Sequence, residues 1–140
     1  MSPATVAITV NGEPHEAQSG HGLTLLSYLR GELGLKGARQ GCDQGGCGAC
    51  TVVLDGVAVQ SCQLSLSAVD GGSVETIEGL RTASDGAAVV QALTEVGAAQ
   101  CGYCLSGIIA SAVAAMRRQE RQTDLRSVLE RNICRCGTQH

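Results

Sequence analysis

The sequence is poor in aromatic residues. It has no phenylalanine and no tryptophan, and Tyr28 and Tyr103 are its two tyrosines. The core must therefore be built from Val, Leu, Ile and Ala, which makes a thin core for 140 residues.

An excess of charge of one sign and a long hydrophobic run are also missing. The net charge is −3, from ten basic and thirteen acidic residues. The chain therefore lacks the excess of positive charge that favours binding to nucleic acid or to an anionic membrane. The longest apolar stretch, Ile108 to Met116, is far too short to span a bilayer. Met1 to Val10 lacks the basic start of a signal peptide. These features predict a small cytoplasmic chain without a membrane span.

Cysteine is the residue that stands out, because eight cysteines fall into two quartets with different spacing. The first quartet has the pattern C-x4-C-x2-C-x11-C and consists of Cys42, Cys47, Cys50 and Cys62. The second has the pattern C-x2-C-x29-C-x1-C and consists of Cys101, Cys104, Cys134 and Cys136. The first spacing is that of plant-type ferredoxins, in which four thiolates hold one [2Fe–2S] cluster. The second quartet has enough sulfur for another cluster, but its spacing differs from that ferredoxin pattern.

Two other uses of eight cysteines have to be weighed. Disulfides suit a secreted protein, and nothing in the sequence indicates secretion. Zinc sites use C-x2-C, which occurs twice here, but they usually pair two short knuckles. The first quartet is instead a three-cysteine loop plus one distant cysteine. Spacing alone therefore favours iron–sulfur chemistry at the first quartet and leaves the second more open.

The segment around the first three cysteines is rich in glycine. Residues 41–50 contain four glycines, at positions 41, 45, 46 and 48. Glycine permits positive φ and a close approach of the backbone, so that N–H groups can turn toward negatively charged sulfurs. Such hydrogen bonds tune the reduction potential of a cluster.

The first half of the chain has the pattern of a small sheet with one helix. Asn11-Gly12 and Asp55-Gly56 are strong hairpin signals. We expect a helix over Leu23–Leu35, with Thr24 as its N-cap and Gly34 or Gly37 at its end. The predicted strands are Thr5–Val10, Glu13–Ala17, Thr51–Leu54, Val57–Ser61 and Ser73–Ile77.

The second half changes to a helical period. We expect helices over Gly86–Val96, Leu105–Met116 and Asp124–Ile133, the last capped by Thr123 or Asp124. The predicted class is α+β: a β-grasp ferredoxin-like [2Fe–2S] domain over residues 1–80, then a helical domain over residues 81–140 that contains the second quartet. Arg117, Arg118 and Arg121 are read as a solvated helix end.

Three local motifs make the chain resemble a known family. They are Gly41-Cys42-x4-Cys47-Gly48-Ala49-Cys50-Thr51, Gln100-Cys101-Gly102-Tyr103-Cys104 and Cys134-Arg135-Cys136. Together they resemble the iron–sulfur small subunit of molybdenum hydroxylases, the xanthine oxidase and aldehyde oxidoreductase family, over nearly the whole chain. Leu105-Ser106-Gly107 with Cys136-Gly137-Thr138 is most similar to the isoquinoline and nicotinate dehydrogenase branch.

The resemblance implies a plant-type ferredoxin fold followed by a four-helix bundle, with one [2Fe–2S] cluster bound by each quartet. It implies a separate large subunit that binds the molybdopterin cofactor, with Gln100 and Cys136 of this chain in contact with the pterin. The chain itself would be a non-catalytic electron-transfer subunit of an oxidoreductase, passing electrons to a flavin subunit, to a cytochrome or to another external acceptor. The alternative is a free-standing two-cluster ferredoxin without a dedicated catalytic partner.

Overall fold

The protein combines one five-stranded mixed sheet with several helices, so its class is α+β as predicted. The computed structural model describes residues 4–20, 22–118 and 124–137. The strands are β1 (Ala4–Val10), β2 (Glu13–Ser19), β3 (Thr51–Leu54), β4 (Val57–Gln60) and β5 (Ser73–Glu75). Across the sheet their order is β2-β1-β5-β3-β4, with β1 parallel to β5 and the other neighbours antiparallel.

Two tight hairpins form where the sequence predicts them. Asn11 and Gly12 join β1 to β2 with φ values of 51° and 84°, and Asp55 and Gly56 join β3 to β4 with 48° and 83°. Two consecutive positive φ angles give a turn whose twist matches that of paired strands. The strand predicted over Ser73–Ile77 is two residues too long, because Ile77 already begins a helix.

The helix predicted over Leu23–Leu35 is shorter than expected. It consists of a regular turn, α1 (Leu25–Ser27), followed by a wider π-helical turn over Tyr28–Glu32; the two turns together are called the α1 segment below. Thr24 is the N-cap, as predicted, and its hydroxyl accepts the Ser27 N–H at 3.1 Å. The Leu33 N–H reaches back five residues to the Tyr28 carbonyl at 3.2 Å, which widens the final turn.

The helices after β5 are α2 (Ile77–Leu80), α3 (Ser84–Glu95), α4 (Leu105–Arg117) and α5 (Leu125–Leu129). The last is much shorter than the predicted Asp124–Ile133, although Asp124 does cap it by accepting the Arg126 N–H at 3.0 Å. No helix in the described part of the chain has the length and apolarity needed to cross a bilayer. The bundle arrangement of these helices and the domain division after residue 80 stay predictions.

The sheet separates two apolar cores. Val52 packs in one core with Leu25 and Leu29 of the α1 segment, and the next residue, Val53, packs in the other with Val113 of α4. Neighbouring residues of a strand point to opposite faces of its sheet, so β3 contributes to both cores. All of Gly107–Ala115 is buried, which makes α4 the central helix of the second core.

Of the basic run predicted as a solvated helix end, Arg121 lies outside the described residues, whereas Arg117 is exposed in the last turn of α4 and also forms ion pairs. Its guanidinium pairs with Asp85 of α3 at 2.6 Å and with Glu75 of β5. The hydrogen bonds from Arg117 hold the pKa of the Asp85 carboxyl below its usual value. The basic end of α4 therefore ties the helices to the sheet.

Candidate metal centres

The loop between the α1 segment and β3, residues 33–50 and called the first loop below, turns backbone N–H groups toward two of its thiols. The sulfur of Cys42 accepts N–H groups from Gln44, Gly46 and Cys47 at 3.3, 3.2 and 3.3 Å. The sulfur of Cys47 accepts N–H groups from Cys42 and Ala49, each at 3.4 Å. Five N–H donors thus surround one pair of sulfurs, an environment that stabilises negative charge.

The other two cysteines of the first quartet form a second pair. Cys50 is buried beside the start of β3, and Cys62 lies in a 3₁₀ turn over Ser61–Gln63. The Cys62 N–H donates to the Cys50 sulfur at 3.5 Å, and the two thiols contact each other. The Ser61 hydroxyl holds the turn in place by donating to the Cys50 carbonyl at 2.6 Å. The four cysteines together are called the first site below.

Two glycines of the first loop are sterically required. A Cβ on Gly41 would lie 2.5 Å from the Cys47 sulfur. Gly48 has φ +76°, and a Cβ there would lie 2.4 Å from the backbone oxygen of Arg131. Because Gly41 has no Cβ, there is room beside the thiols. Because Gly48 has none, the loop can lie against the C-terminal segment.

The structure also brings together the second quartet, called the second site below. Cys104 is the residue before α4, and Cys134 and Cys136 follow α5. The Cys101 thiol contacts that of Cys136, and the Cys104 thiol contacts that of Cys134. Packing of α5 against α4 closes the gap of 29 residues that separates the two halves of this site in the sequence.

Each site combines one thiol that loses its proton easily with one that resists deprotonation. Backbone N–H donors, that of Gln44 first, lower the pKa of Cys42 to about 6. The Tyr103 N–H lowers the pKa of Cys101. Burial raises the pKa of both Cys50 and Cys104 to about 11. A buried thiolate is costly unless a cation compensates it, as iron does in a cluster.

The donor sets fit binuclear clusters. No disulfide joins the eight cysteines, all of which lie within the described residues. Contacts between their thiols form four pairs: Cys42 with Cys47, Cys50 with Cys62, Cys101 with Cys136, and Cys104 with Cys134. A [2Fe–2S] cluster bound by four cysteines takes two thiolates on each iron. Among the described residues, no three His, Cys, Asp or Glu side chains are grouped around a point for one metal ion. The two thiol pairs of each site therefore match the two irons of a [2Fe–2S] cluster, with one pair for each iron.

Hydrogen bonds between the first loop and the C-terminal segment join the two sites. The Cys47 carbonyl, at a predicted ligand of the first site, accepts the Ile133 N–H at 2.8 Å, next to predicted ligand Cys134. Beside it, the side-chain amide of Asn132 donates to the Gly48 carbonyl at 3.2 Å. The Ser111 hydroxyl in turn donates to the Asn132 side-chain oxygen at 3.1 Å.

Sequence reasoning missed this junction, although one signal for it was present. Asn132 is 2% exposed, and a buried amide needs partners of the kind it finds here. Gly107 lies opposite, where a Cβ would come within 2.1 Å of the Gly48 oxygen. A glycine inside an otherwise apolar helix pattern is such a sign of close backbone approach.

A second contact between the sites lies at Tyr103, between two predicted ligands of the second site. Its hydroxyl donates to the Gln40 carbonyl, two residues before Cys42. The Arg39 guanidinium lies 5.4 Å from the centre of the tyrosine ring, within the range of a cation–π interaction. Tyr103 therefore ties the second site to the entry of the first loop.

The outer edge of the second site faces solvent. Gln100 and Cys101 are exposed, and Cys136 is partly buried. Tyr103 and Ile133 leave 47% and 59% of their surface exposed beside it. Gln100 directly precedes Cys101, and the Cys101 thiol contacts that of Cys136. The two residues predicted to contact the pterin, Gln100 and Cys136, therefore both lie at this edge.

Comparison with known proteins places these two sites in a family. Residues 8–80 match the family profile of the 2Fe-2S iron-sulfur cluster binding domain, and residues 76–140 match that of the [2Fe-2S] binding domain. The protein is thus a two-cluster iron–sulfur protein by class. More particularly, the chain belongs to the iron–sulfur subunits of the molybdenum hydroxylases.

The relatives support both levels of that statement. A nicotinate dehydrogenase subunit from Pseudomonas putida is 43% identical, over 96% of this chain and 87% of its own. The xanthine dehydrogenase iron-sulfur-binding subunit from Escherichia coli O157:H7 is 37% identical, over 94% and 85%.

Solved structures agree with the relatives. Quinoline 2-oxidoreductase from Pseudomonas putida 86 superposes with a TM-score of 0.84 at 30% identity, over 97% of this chain and 85% of that chain. Aldehyde oxidoreductase from Desulfovibrio gigas has a TM-score of 0.84 at 36% identity, over 94% of this chain but 15% of that chain. In the second case the equivalent of this chain is one part of a longer polypeptide.

Proposed function

We propose that this chain carries electrons, one at a time, through two [2Fe–2S] clusters, from a molybdopterin-binding partner subunit to a flavin subunit or external acceptor. The observation that carries the proposal is the hydrogen bond from the Ile133 N–H to the Cys47 carbonyl. It links one predicted ligand of the first site to the neighbour of a predicted ligand of the second. When bound, each cluster takes up and releases single electrons.

The residues of the chain have three tasks in this proposal. The eight cysteines hold the clusters as thiolates, and the backbone N–H groups around Cys42 and Cys47 stabilise charge on the sulfurs. The Asn132 amide keeps the Cys47–Gly48 peptide against the C-terminal segment. Buried, hydrogen-bonded contacts of this kind hold the two sites at one separation.

We assign the exposed edge of the second site to the partner subunit. Gln100 offers a donor and an acceptor there, and Cys136 follows Arg135, which is also exposed. Electrons then enter at the second site and leave from the first. The relatives named as dehydrogenase subunits, which are matched over 87% and 85% of their own length, support this role.

Purification from the native source tests the function against the free-standing ferredoxin. We expect the chain to elute in a larger complex that contains molybdenum and iron. The substrate of that complex should bleach the visible absorption of both clusters under anaerobic conditions. A cluster-bearing chain that elutes as a monomer, without molybdenum, would instead establish the independent carrier.

Replacing Gln100 with alanine tests the pterin contact. We expect Gln100→Ala to retain both clusters, because Gln100 is exposed and is not a thiolate ligand. Reduction of the clusters by substrate should slow, or the affinity for the partner subunit should fall. Stopped-flow absorbance and titration with the partner measure the two effects.

Gln18→Ala is the matched control for that experiment. Gln18 is an exposed glutamine on β2, where its amide donates to the Thr5 hydroxyl at 3.2 Å. Its replacement should change neither cluster reduction nor the affinity for the partner subunit. If Gln100→Ala behaves like Gln18→Ala in both measurements, Gln100 has no part in the contact.

A further inference from the structure

The sulfur of Cys62 differs from the other sulfurs of the first site in the kind of donor it receives. Backbone N–H groups donate to the sulfurs of Cys42, Cys47 and Cys50. The donor recorded for Cys62 is a side chain, the Nε2 group of Gln63 at 3.4 Å. A backbone donor survives any substitution except proline, whereas this donor depends on the identity of residue 63.

The Gln63 amide is held in the orientation that presents its N–H groups to the site. Nε2 also donates to the Asp43 carbonyl at 3.1 Å, so its two hydrogens have two acceptors. Gly45 leaves room for the side chain, since a Cβ there would lie 3.1 Å from Cγ of Gln63 and 3.3 Å from Cδ. Gln63 therefore spans from its 3₁₀ turn to the first loop.

We propose that Gln63 raises the reduction potential of the first cluster by hydrogen bonding to Cys62. Reduction adds one negative charge that the cluster shares with its cysteine sulfurs. An N–H donor stabilises the reduced form more than the oxidised form, so it shifts the equilibrium toward reduction. Gln63 thus helps to make the first site the favoured electron acceptor within the chain. The inference rests on the clusters of the proposed function but not on a partner subunit.

Gln63→Met tests the proposal, because methionine keeps the length and cover of the side chain but lacks an N–H donor. An EPR-monitored redox titration of the cluster-loaded chain gives the midpoint potential of each cluster. We expect the reduced-to-oxidised ratio of the first cluster at a given potential to fall about threefold to tenfold, a shift of about 30 to 60 mV at 59 mV per decade. The midpoint of the second cluster should stay the same.

Two further variants separate donation from shielding. Gln63→Glu has the shape of glutamine but places a negative charge at the sulfur, so it should lower the midpoint of the first cluster further than Gln63→Met. Gln60→Met is the matched control, since Gln60 also contacts the Gly45 region but no hydrogen bond to a sulfur is recorded for it within the described residues. It should leave both midpoints unchanged.

The outcomes are decisive in either direction. An unchanged first midpoint in Gln63→Met, or an equal shift in Gln60→Met, overturns the proposal. If Gln63→Met binds less iron than the wild type, Gln63→Glu decides in the same way. A wild-type chain without a cluster in the first site would instead refute the proposed function, and the iron content of the starting material distinguishes that failure.

Discussion

Replacing Cys47 with serine is expected to remove the first cluster and to leave the second intact. Iron should fall from about four atoms per chain to about two, because each [2Fe–2S] site contributes two. The loss follows from the position of Cys47, whose thiol contacts that of Cys42 and accepts two backbone N–H groups. Serine has the same shape but a much poorer ligand atom for iron.

The second cluster should survive this change for a structural reason. The ligand sets of the two sites share no residue, and the junction between them uses the Cys47 carbonyl rather than its side chain. Serine retains that carbonyl and so retains the hydrogen bond from Ile133. The substituted complex should still accept electrons from substrate, and most of its turnover with an acceptor should be lost.

Iron analysis and EPR of the reduced protein measure the outcome. Gln44→Ser is the control in the same loop, since Gln44 acts on Cys42 through its backbone N–H, which serine keeps. It should retain both paramagnetic species. Loss of both species in a folded Cys47→Ser chain would contradict the independence of the two sites.

Replacing Gly107 with alanine is expected to weaken the junction between the two sites strongly. The added Cβ would lie 2.1 Å from the Gly48 carbonyl oxygen and 3.0 Å from the Asn132 amide nitrogen. The first of these is backbone, so α4 or the first loop must move. Overpacking typically costs about 1–3 kcal/mol, and a buried polar group left without its partner costs about 1–3 kcal/mol more.

A loss of that size is a large part of the stability of a small domain. Thermal unfolding of the cluster-loaded protein should show a clearly lower Tm for Gly107→Ala than for the wild type. The magnetic interaction between the reduced clusters, seen by EPR, should also change, because the displaced contact includes the segment that joins them.

Gly31→Ala is the matched control for Gly107→Ala. Gly31 has no neighbouring atom within 4 Å of its added Cβ and no positive φ. Alanine there is expected to leave stability unchanged or to raise it by up to about 1 kcal/mol. If both alanine variants unfold at the same temperature, the close packing of α4 on the first loop is not what holds the sites together.

Much of the fold follows from short-range patterns in the sequence. Asn11-Gly12 and Asp55-Gly56 predict both hairpins, and Thr24 and Asp124 predict two helix caps that form. These features are local, since each depends on residues within a few positions of one another. The predicted lengths of the α1 segment and α5 are wrong, because apolar periodicity continues beyond the point where their hydrogen bonding ends.

The sequence by itself determined the chemistry of the sites: the spacing of the first four cysteines and the glycines among them indicate [2Fe–2S] chemistry, and the family resemblance of the local motifs extends that prediction to the second quartet. Tertiary structure alone decided how the two sites are joined. The bond from Asn132 to Gly48 links residues 84 positions apart, and Arg117 meets Glu75 across 42 positions. Ligand spacing is a local property of the chain, whereas these contacts arise where packed helices and sheet bring distant segments together, and no local pattern specifies that geometry.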